Sequence, residues 1–124
     1  MMQGFVNQNC EAMLPLVVGR DNKPTKMVEA LIDTGFTGFL SLPLSIIESL
    51  GLTWIFSDSV TLGDGSEVTF QMYRATVIWD GAFKVVDVAA SETEPLLGMG
   101  LLYGFKLQVE AVERGMVSIE AINP

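Results

Sequence analysis

The chain has 124 residues, a length that suits one domain, with one cysteine, no histidine and a formal net charge of −8. One cysteine excludes an internal disulfide. Without histidine the chain has no plausible zinc or iron–sulfur site and no Ser-His-Asp or Cys-His catalysis, so acid–base chemistry falls to carboxylates, Tyr, Lys or the termini. The negative charge argues against nucleic acid and against an anionic membrane surface as partners.

The start, Met1-Met2-Gln3-Gly4-Phe5, lacks the basic-then-apolar pattern of a signal peptide, and no apolar run reaches transmembrane length. A soluble, cytoplasmic protein is expected. Along the chain, β-branched and aromatic residues recur in short runs separated by Gly, Asp and Asn, which predicts an all-β fold. Gly4 to Asn9 and Glu11 to Gly19 read as strands, and Arg20 to Thr25, with Pro24, as a loop. Met27 to Ile32 is the next strand and runs directly into Asp33-Thr34-Gly35. Ser45 to Leu50 has Ile46, Ile47 and Leu50 at helical spacing, with Pro43 before it and Gly51 after it, which predicts a short helix.

Asp58 to Leu62 and Glu67 to Trp79 flank Gly63-Asp64-Gly65-Ser66, a strong hairpin signal because both residues of an Asp-Gly turn tolerate positive φ. Within the second run, Val68, Phe70 and Met72 alternate in one phase and Tyr73, Ala75, Val77 and Trp79 in the other. That phase change predicts a bulge. Asp80-Gly81 turns into a strand over Ala82 to Ala90, Ser91 to Pro95 is a polar loop, and a helix-like stretch runs from Leu96 to Tyr103. Phe105, Leu107 and Val109 alternate as a strand, and Met116 to Ile119 is the last. With no repeat, linker or low-complexity segment, residues 1–124 read as a single domain, a small β barrel or sandwich with one or two short helices.

Asp33 is the candidate for chemistry. A carboxylate at the end of an apolar strand sits where a core meets a cleft, Gly35 permits a sharp turn and Thr34 offers a hydroxyl to pin it. The same tripeptide is also ordinary turn chemistry. Its context carries more: Ala30-Leu31-Ile32-Asp33-Thr34-Gly35-Phe36-Thr37-Gly38, then Leu42-Pro43, resembles the active-site segment of aspartic proteases. Leu62-Gly63-Asp64-Gly65-Ser66 falls where that family has its flap, and Leu96-Leu97-Gly98-Met99-Gly100-Leu101-Leu102 resembles its second signature, which passes beneath the catalytic loop. The order is that of one retropepsin-like protomer, in particular of the bacterial retropepsin-like proteases, over residues 14 to 110.

The resemblance implies a closed acid-protease barrel and an aspartic endopeptidase without cofactor or metal. It implies a homodimer that joins two Asp33 carboxylates at a twofold axis around one water, with a peptide or protein as substrate and neither nucleic acid nor membrane as partner. Asp33, Thr34 and Gly35 would form the catalytic loop, and Phe36, Thr37, Gly38, Leu97 and Gly98 would contribute to the substrate cleft. Leu62, Gly63, Asp64, Gly65 and Ser66 would close over it as a lid. A catalytically idle, dimeric peptide-binding module on the same fold is the alternative. Three features depart from the family pattern: Phe36 stands where a small residue is usual, Asp64 puts a charge on the flap tip, and the termini, Met1 to Cys10 and Val117 to Pro124, do not declare whether they interleave across a dimer as retroviral termini do.

Overall fold

In the computed structural model, which describes residues 1–123, the chain forms ten strands and two short helices. They are β1 (Met2–Val6), β2 (Ala12–Gly19), β3 (Lys26–Ile32), β4 (Leu40–Pro43), α1 (Leu44–Leu50), β5 (Thr53–Thr61), β6 (Glu67–Trp79), β7 (Ala82–Ser91), β8 (Leu96–Leu97), α2 (Met99–Leu102), β9 (Phe105–Val109) and β10 (Met116–Ala121). Their hydrogen-bonded order is β5-β6-β7-β4-β8-β3-β2-β1-β10-β9. An added pairing of β6 with β2, through Val18 opposite Val77 and Gly19 opposite Thr76, closes six of these strands into a barrel. Closure pairs each of these six strands on both sides and leaves β5 and β9 as the ends of the sheet. The expected choice between barrel and sandwich is thereby settled as a barrel.

Alternation along the strands fills this barrel. Leu14, Leu16 and Val18 of β2, Val28, Ala30 and Ile32 of β3, and Ala75, Val77 and Trp79 of β6 all point inward, as a period of two requires. Leu40, Leu42, Val86, Val88 and Leu97 join them from β4, β7 and β8. Val117 and Ile119 of β10 extend the same core under the outer strands, and Trp79 meets Phe105 edge-on at 5.6 Å. In α1, Ile47 is buried, while Gly51 ends the helix at φ 62° and donates its N–H to the carbonyls of Glu48 and Ile47.

Two short elements escape the sequence pattern. β4, only Leu40–Pro43, and the first half of β5 lack distinctive periodicity. The stretch from Leu96 also divides into a two-residue strand and a four-residue helix. The predicted irregularity near Met72 and Tyr73 is present, but the extra residue is on the neighbouring strand: Trp54 pairs with Tyr73 and Phe56 with Met72, which leaves Ile55 as the bulge. There β6 passes from the exposed hairpin into the barrel, so its inward face switches. No helix among the described residues is long and apolar enough to cross a membrane.

Two further strand arrangements bear on function. First, β8 lies between β3 and β4, parallel to one and antiparallel to the other, although β3 and β4 are consecutive in the chain. The loop from Asp33 to Phe39 must therefore pass over β8. Second, β5 and β6 extend past the barrel as a long two-stranded hairpin ending at Leu62–Ser66, with β5 paired to β6 alone.

Replacing Leu16, 2% exposed in the barrel, with Ala removes a large part of a filled core and is expected to destabilise the protein by about 2–5 kcal/mol. Replacing Phe83, 82% exposed on β7, is expected to change stability by less than about 0.5 kcal/mol. Thermal unfolding of the two alanine variants beside the parent checks the assignment of inner and outer faces.

Candidate active site

β3 places Ile32 in the core and Asp33 at its rim, half-buried. Three hydrogen bonds hold Asp33. Its own N–H donates to the Leu97 carbonyl at 2.9 Å, its carbonyl accepts the N–H of Phe36 at 3.1 Å, and its Oδ1 accepts the N–H of Gly35 at 2.9 Å. The side chain is thus fixed by its own turn, as an Asx turn fixes an aspartate. Among the described residues no side chain donates to this carboxylate, which leaves Oδ2 free for an external partner. Thr34 and Thr37 are both exposed, and Thr37 lines the cleft.

The segment beneath this loop is built from glycines. Gly98 donates its N–H to the Phe39 carbonyl at 3.0 Å, Met99 to Phe36 at 2.8 Å and Gly100 to Gly38 at 3.0 Å. Gly98 is buried, and a Cβ there would overlap the Gly38 carbonyl oxygen and lie 2.7 Å from the Phe36 carbonyl oxygen. The phenyl ring of Phe36 occupies the remaining space: a Cβ at Gly38 would lie 2.6 Å from the tip of that ring, and one at Gly98 would lie 2.6 Å from its edge. A bulky residue at position 36 is accommodated because two of its neighbours have no side chain. The ring both packs on these glycines and lines the cleft.

The cleft has a volume of about 690 Å³. Asp33, Gly35, Phe36, Thr37 and Gly38 form its floor, Phe56, Asp58 and Val60 of β5 and Phe70 and Met72 of β6 one wall, and Asp87, Ala89, Ser91, Thr93 and Leu96 the other. Of the residues singled out in the sequence, the catalytic-loop group therefore converges here, except that Thr34 is not part of the lining. Leu97 and Gly98 are buried under the loop rather than in the cleft, and Leu96 is the residue of that segment that reaches the cavity. Leu62, Gly63, Asp64, Gly65 and Ser66 form the hairpin tip, exposed and away from the lining of a single chain. The apolar wall of Phe56, Val60, Phe70 and Met72 was not singled out as part of a site. Its signal was there in the alternation of positions 56, 58 and 60 and of 68, 70 and 72, which put one face of the hairpin over Asp33.

The electrostatics of the cleft are acidic. Asp87 pairs with Arg74 at 3.3 Å across β6 and β7, an exposed contact of little energetic weight. Among the described residues no cation lies within 4.0 Å of Asp58. At the hairpin tip, the Ser66 hydroxyl and then the Ser66 N–H donate to Asp64, and these bonds hold its carboxyl below the usual carboxylate value of 3.8. Gly65, at φ 87°, supplies the left-handed residue of the turn. No group of three or more His, Cys, Asp or Glu among the described residues is arranged to hold a metal ion.

Gly98→Ala forces its methyl group into backbone, which cannot swing aside, and is expected to cost about 1–3 kcal/mol or more and to disturb the Asp33 loop. Gly63→Ala meets nothing within 4 Å and is expected to be neutral within about 0.5 kcal/mol. Denaturant midpoints of the two variants test whether the loop rests on position 98.

No family profile matches this sequence and no curated protein matches it. Among solved structures, it is similar to the crystal structure of a retropepsin-like aspartic protease from Rickettsia conorii, with 18% identity, coverage of 96% of this chain and 87% of that one, and a TM-score of 0.59. At that identity the likeness is one of fold, and the chain has the retropepsin-like fold: a closed barrel with two short helices, an aspartate loop crossing over a threaded strand, and a long hairpin above the cleft.

Proposed function

We propose that this protein is an aspartic endopeptidase that works as a homodimer. The observation that carries the reading is Asp33 itself. It is a rigidly held, half-buried carboxylate with one oxygen unpartnered, on the floor of a peptide-sized cleft, and each chain brings one such loop. Two copies that meet at their Asp33 loops would hold one water between two carboxylates. Like charges at that separation do not both ionise, so one proton is shared and the pair titrates in two coupled steps.

The chemistry then needs no further group from the chain. The ionised Asp33 takes a proton from the water, whose oxygen attacks the peptide carbonyl carbon. The protonated Asp33 of the other copy hydrogen-bonds the carbonyl oxygen as negative charge develops on it. When the tetrahedral intermediate collapses, the C–N bond breaks and a carboxyl proton passes to the leaving amine. Thr34, exposed beside each Asp33, would brace one loop against the other. The β5–β6 hairpin closes over an extended substrate, and the free backbone edge of β5 suits strand addition. The wall of Phe36, Phe56, Val60, Phe70, Met72 and Leu96 favours bulky apolar side chains, while Asp58, Asp87 and Asp64 disfavour acidic ones.

Asp33→Asn removes the group that accepts and returns the proton. It is expected to lower cleavage of a peptide library by about 10²–10⁴-fold or more with an unchanged unfolding curve. Equal cleavage by parent and variant would discard the protease reading. Binding of peptides by both, with cleavage by neither, would favour an idle peptide-binding module.

Asp64 gives a pH signature with a definite sign. Its folded-state value lies below 3.8, so its negative charge persists at all higher pH and disappears as pH falls through that lowered value. With a peptide carrying acidic residues beside the scissile bond, Asp64→Asn is expected to raise kcat/KM by less than about fivefold at neutral and mildly acidic pH. The two profiles should converge at the acid end. Profiles that stay superimposed throughout would show that the flap charge does not act on substrate.

A further inference from the structure

We propose that Asp58 makes the cleft selective for an extended segment that carries a basic residue, arginine before lysine, with bulky apolar residues two places to either side of it. The proposal rests on the reading of the cleft as a peptide site, and it names the class of peptide that the cleft takes.

Asp58 is distinguished from the other acids of the cleft by what surrounds it. Asp33 holds the Gly35 N–H on one oxygen and is committed to the chemistry. Asp87 has a cation of its own chain, Arg74, at 3.3 Å. Asp58 is exposed on β5, and among the described residues no cation lies within 4.0 Å of it. Its neighbours are apolar instead. It stands directly opposite Phe70 of β6, with Phe56 and Val60 two residues away on the same face. Phe56 is 41% exposed and Val60 43%, so the apolar surface on either side of the carboxylate is uncovered.

A carboxylate between phenyl rings suits a cationic side chain. The carboxylate takes the charge, and the negative face of a ring attracts the same cation. A planar guanidinium can bond both carboxylate oxygens while its flat face lies on a ring, whereas an ammonium bonds as a point charge. A neutral side chain gains neither contact, and an acidic one is repelled.

Hydrogen-bond parity sets where that side chain sits in the peptide. The Leu62 N–H donates to the Ser66 carbonyl at 2.7 Å, in the register that puts Thr61 opposite Glu67. In an antiparallel ladder, bonding to one neighbour alternates along the strand. Phe56, Asp58 and Val60 therefore turn their N–H and C=O toward β6, and Ser57, Ser59 and Thr61 turn theirs outward. β5 ends the sheet, so this edge is open. An extended peptide added antiparallel bonds to Ser57, Ser59 and Thr61. Its residues opposite Phe56, Asp58 and Val60 are then non-hydrogen-bonded pairs, about 4.5 Å between Cα atoms, the pairing that brings side chains closest.

These three peptide residues are every second one, and their side chains point into the cleft together. The pattern is apolar, any, basic, any, apolar. The intervening positions share the face of Ser57 and Ser59, whose hydroxyls meet Gln71 and Thr69. The bulge at Ile55 breaks the regular edge just before Phe56, so the pattern stops there. Net charge of −8 attracts any cationic peptide, but only Asp58 makes the attraction depend on position within it.

Binding to the Asp33→Asn protein tests this without requiring cleavage. The probes are labelled extended peptides with the centres Leu-Ser-Arg-Ser-Leu, Leu-Ser-Gln-Ser-Leu and Leu-Ser-Glu-Ser-Leu. A fourth, Leu-Ser-Ser-Arg-Leu, keeps the charge but cannot put the arginine and both leucines on one face. The arginine-centred peptide should bind about three- to tenfold more tightly than the glutamine-centred and shifted ones, and the glutamate-centred peptide should bind most weakly. Adding Asp58→Asn should abolish the difference between arginine and glutamine, and adding Asp58→Lys should turn the preference to glutamate. Asp58 is exposed, so both variants should keep the parent's unfolding midpoint. Indistinguishable binding of the four peptides, binding of none, or an arginine preference that survives Asp58→Asn overturns the proposal. An Asp58-dependent arginine preference with no cleavage by the parent protein supports the subsite and counts against the protease reading. Asp33-dependent cleavage of library peptides that lack a basic residue in this pattern does the reverse.

Discussion

The Asp33 N–H bonded to the Leu97 carbonyl is the contact on which the rest of the site depends. It exists because β8 is threaded between two strands that are neighbours in sequence, so the loop joining β3 to β4 has to cross it. Where that loop lies against β8 and α2 it cannot be loosely packed, because backbone polar groups turned away from water need partners. Leu97, Gly98, Met99 and Gly100 supply those partners in succession. The carboxylate at the turn inherits the rigidity of the barrel without being buried in it.

The same crossing explains the glycines and the aromatic ring together. Gly98 lacks a Cβ because backbone fills the space a methyl would take, and Gly38 and Gly98 leave room for Phe36. The ring in turn forms part of the cleft floor beside Asp33. The packing of the loop and the shape of the cleft floor are therefore one arrangement here, and position 36 cannot be varied without regard to positions 38 and 98. Above the floor, the β5–β6 hairpin leaves the barrel at the Ile55 bulge, where its apolar face changes side. The bulge separates a part of β6 that fills the core from a part that covers the cleft.

Charge and apolar surface are distributed unevenly over this molecule. The cleft and hairpin tip carry Asp33, Asp58, Asp87 and Asp64 beside an apolar wall, while β9 ends the sheet with a single lysine. Any association of a chain of net charge −8 with its own copy works against a general repulsion, which salt screens.

Much of this was legible in the amino-acid order because it depends on local rules. Period-two alternation marked most strands, Ile46, Ile47 and Leu50 before Gly51 marked the helix, Asp64-Gly65 marked the hairpin, and Asp33 after an apolar run marked a carboxylate at a strand end. Absence of histidine excluded whole classes of chemistry by itself. The tertiary structure decided what depends on distant segments meeting. β4 and β8 are too short to carry a period and are strands only because neighbours pair with them. Leu97 and Leu96 are adjacent and chemically identical, yet one is buried beneath the loop and the other lines the cleft, because alternate side chains of a strand face opposite ways. Which edges of the sheet remain open is likewise set by pairings between the two ends of the chain, and no local pattern records them.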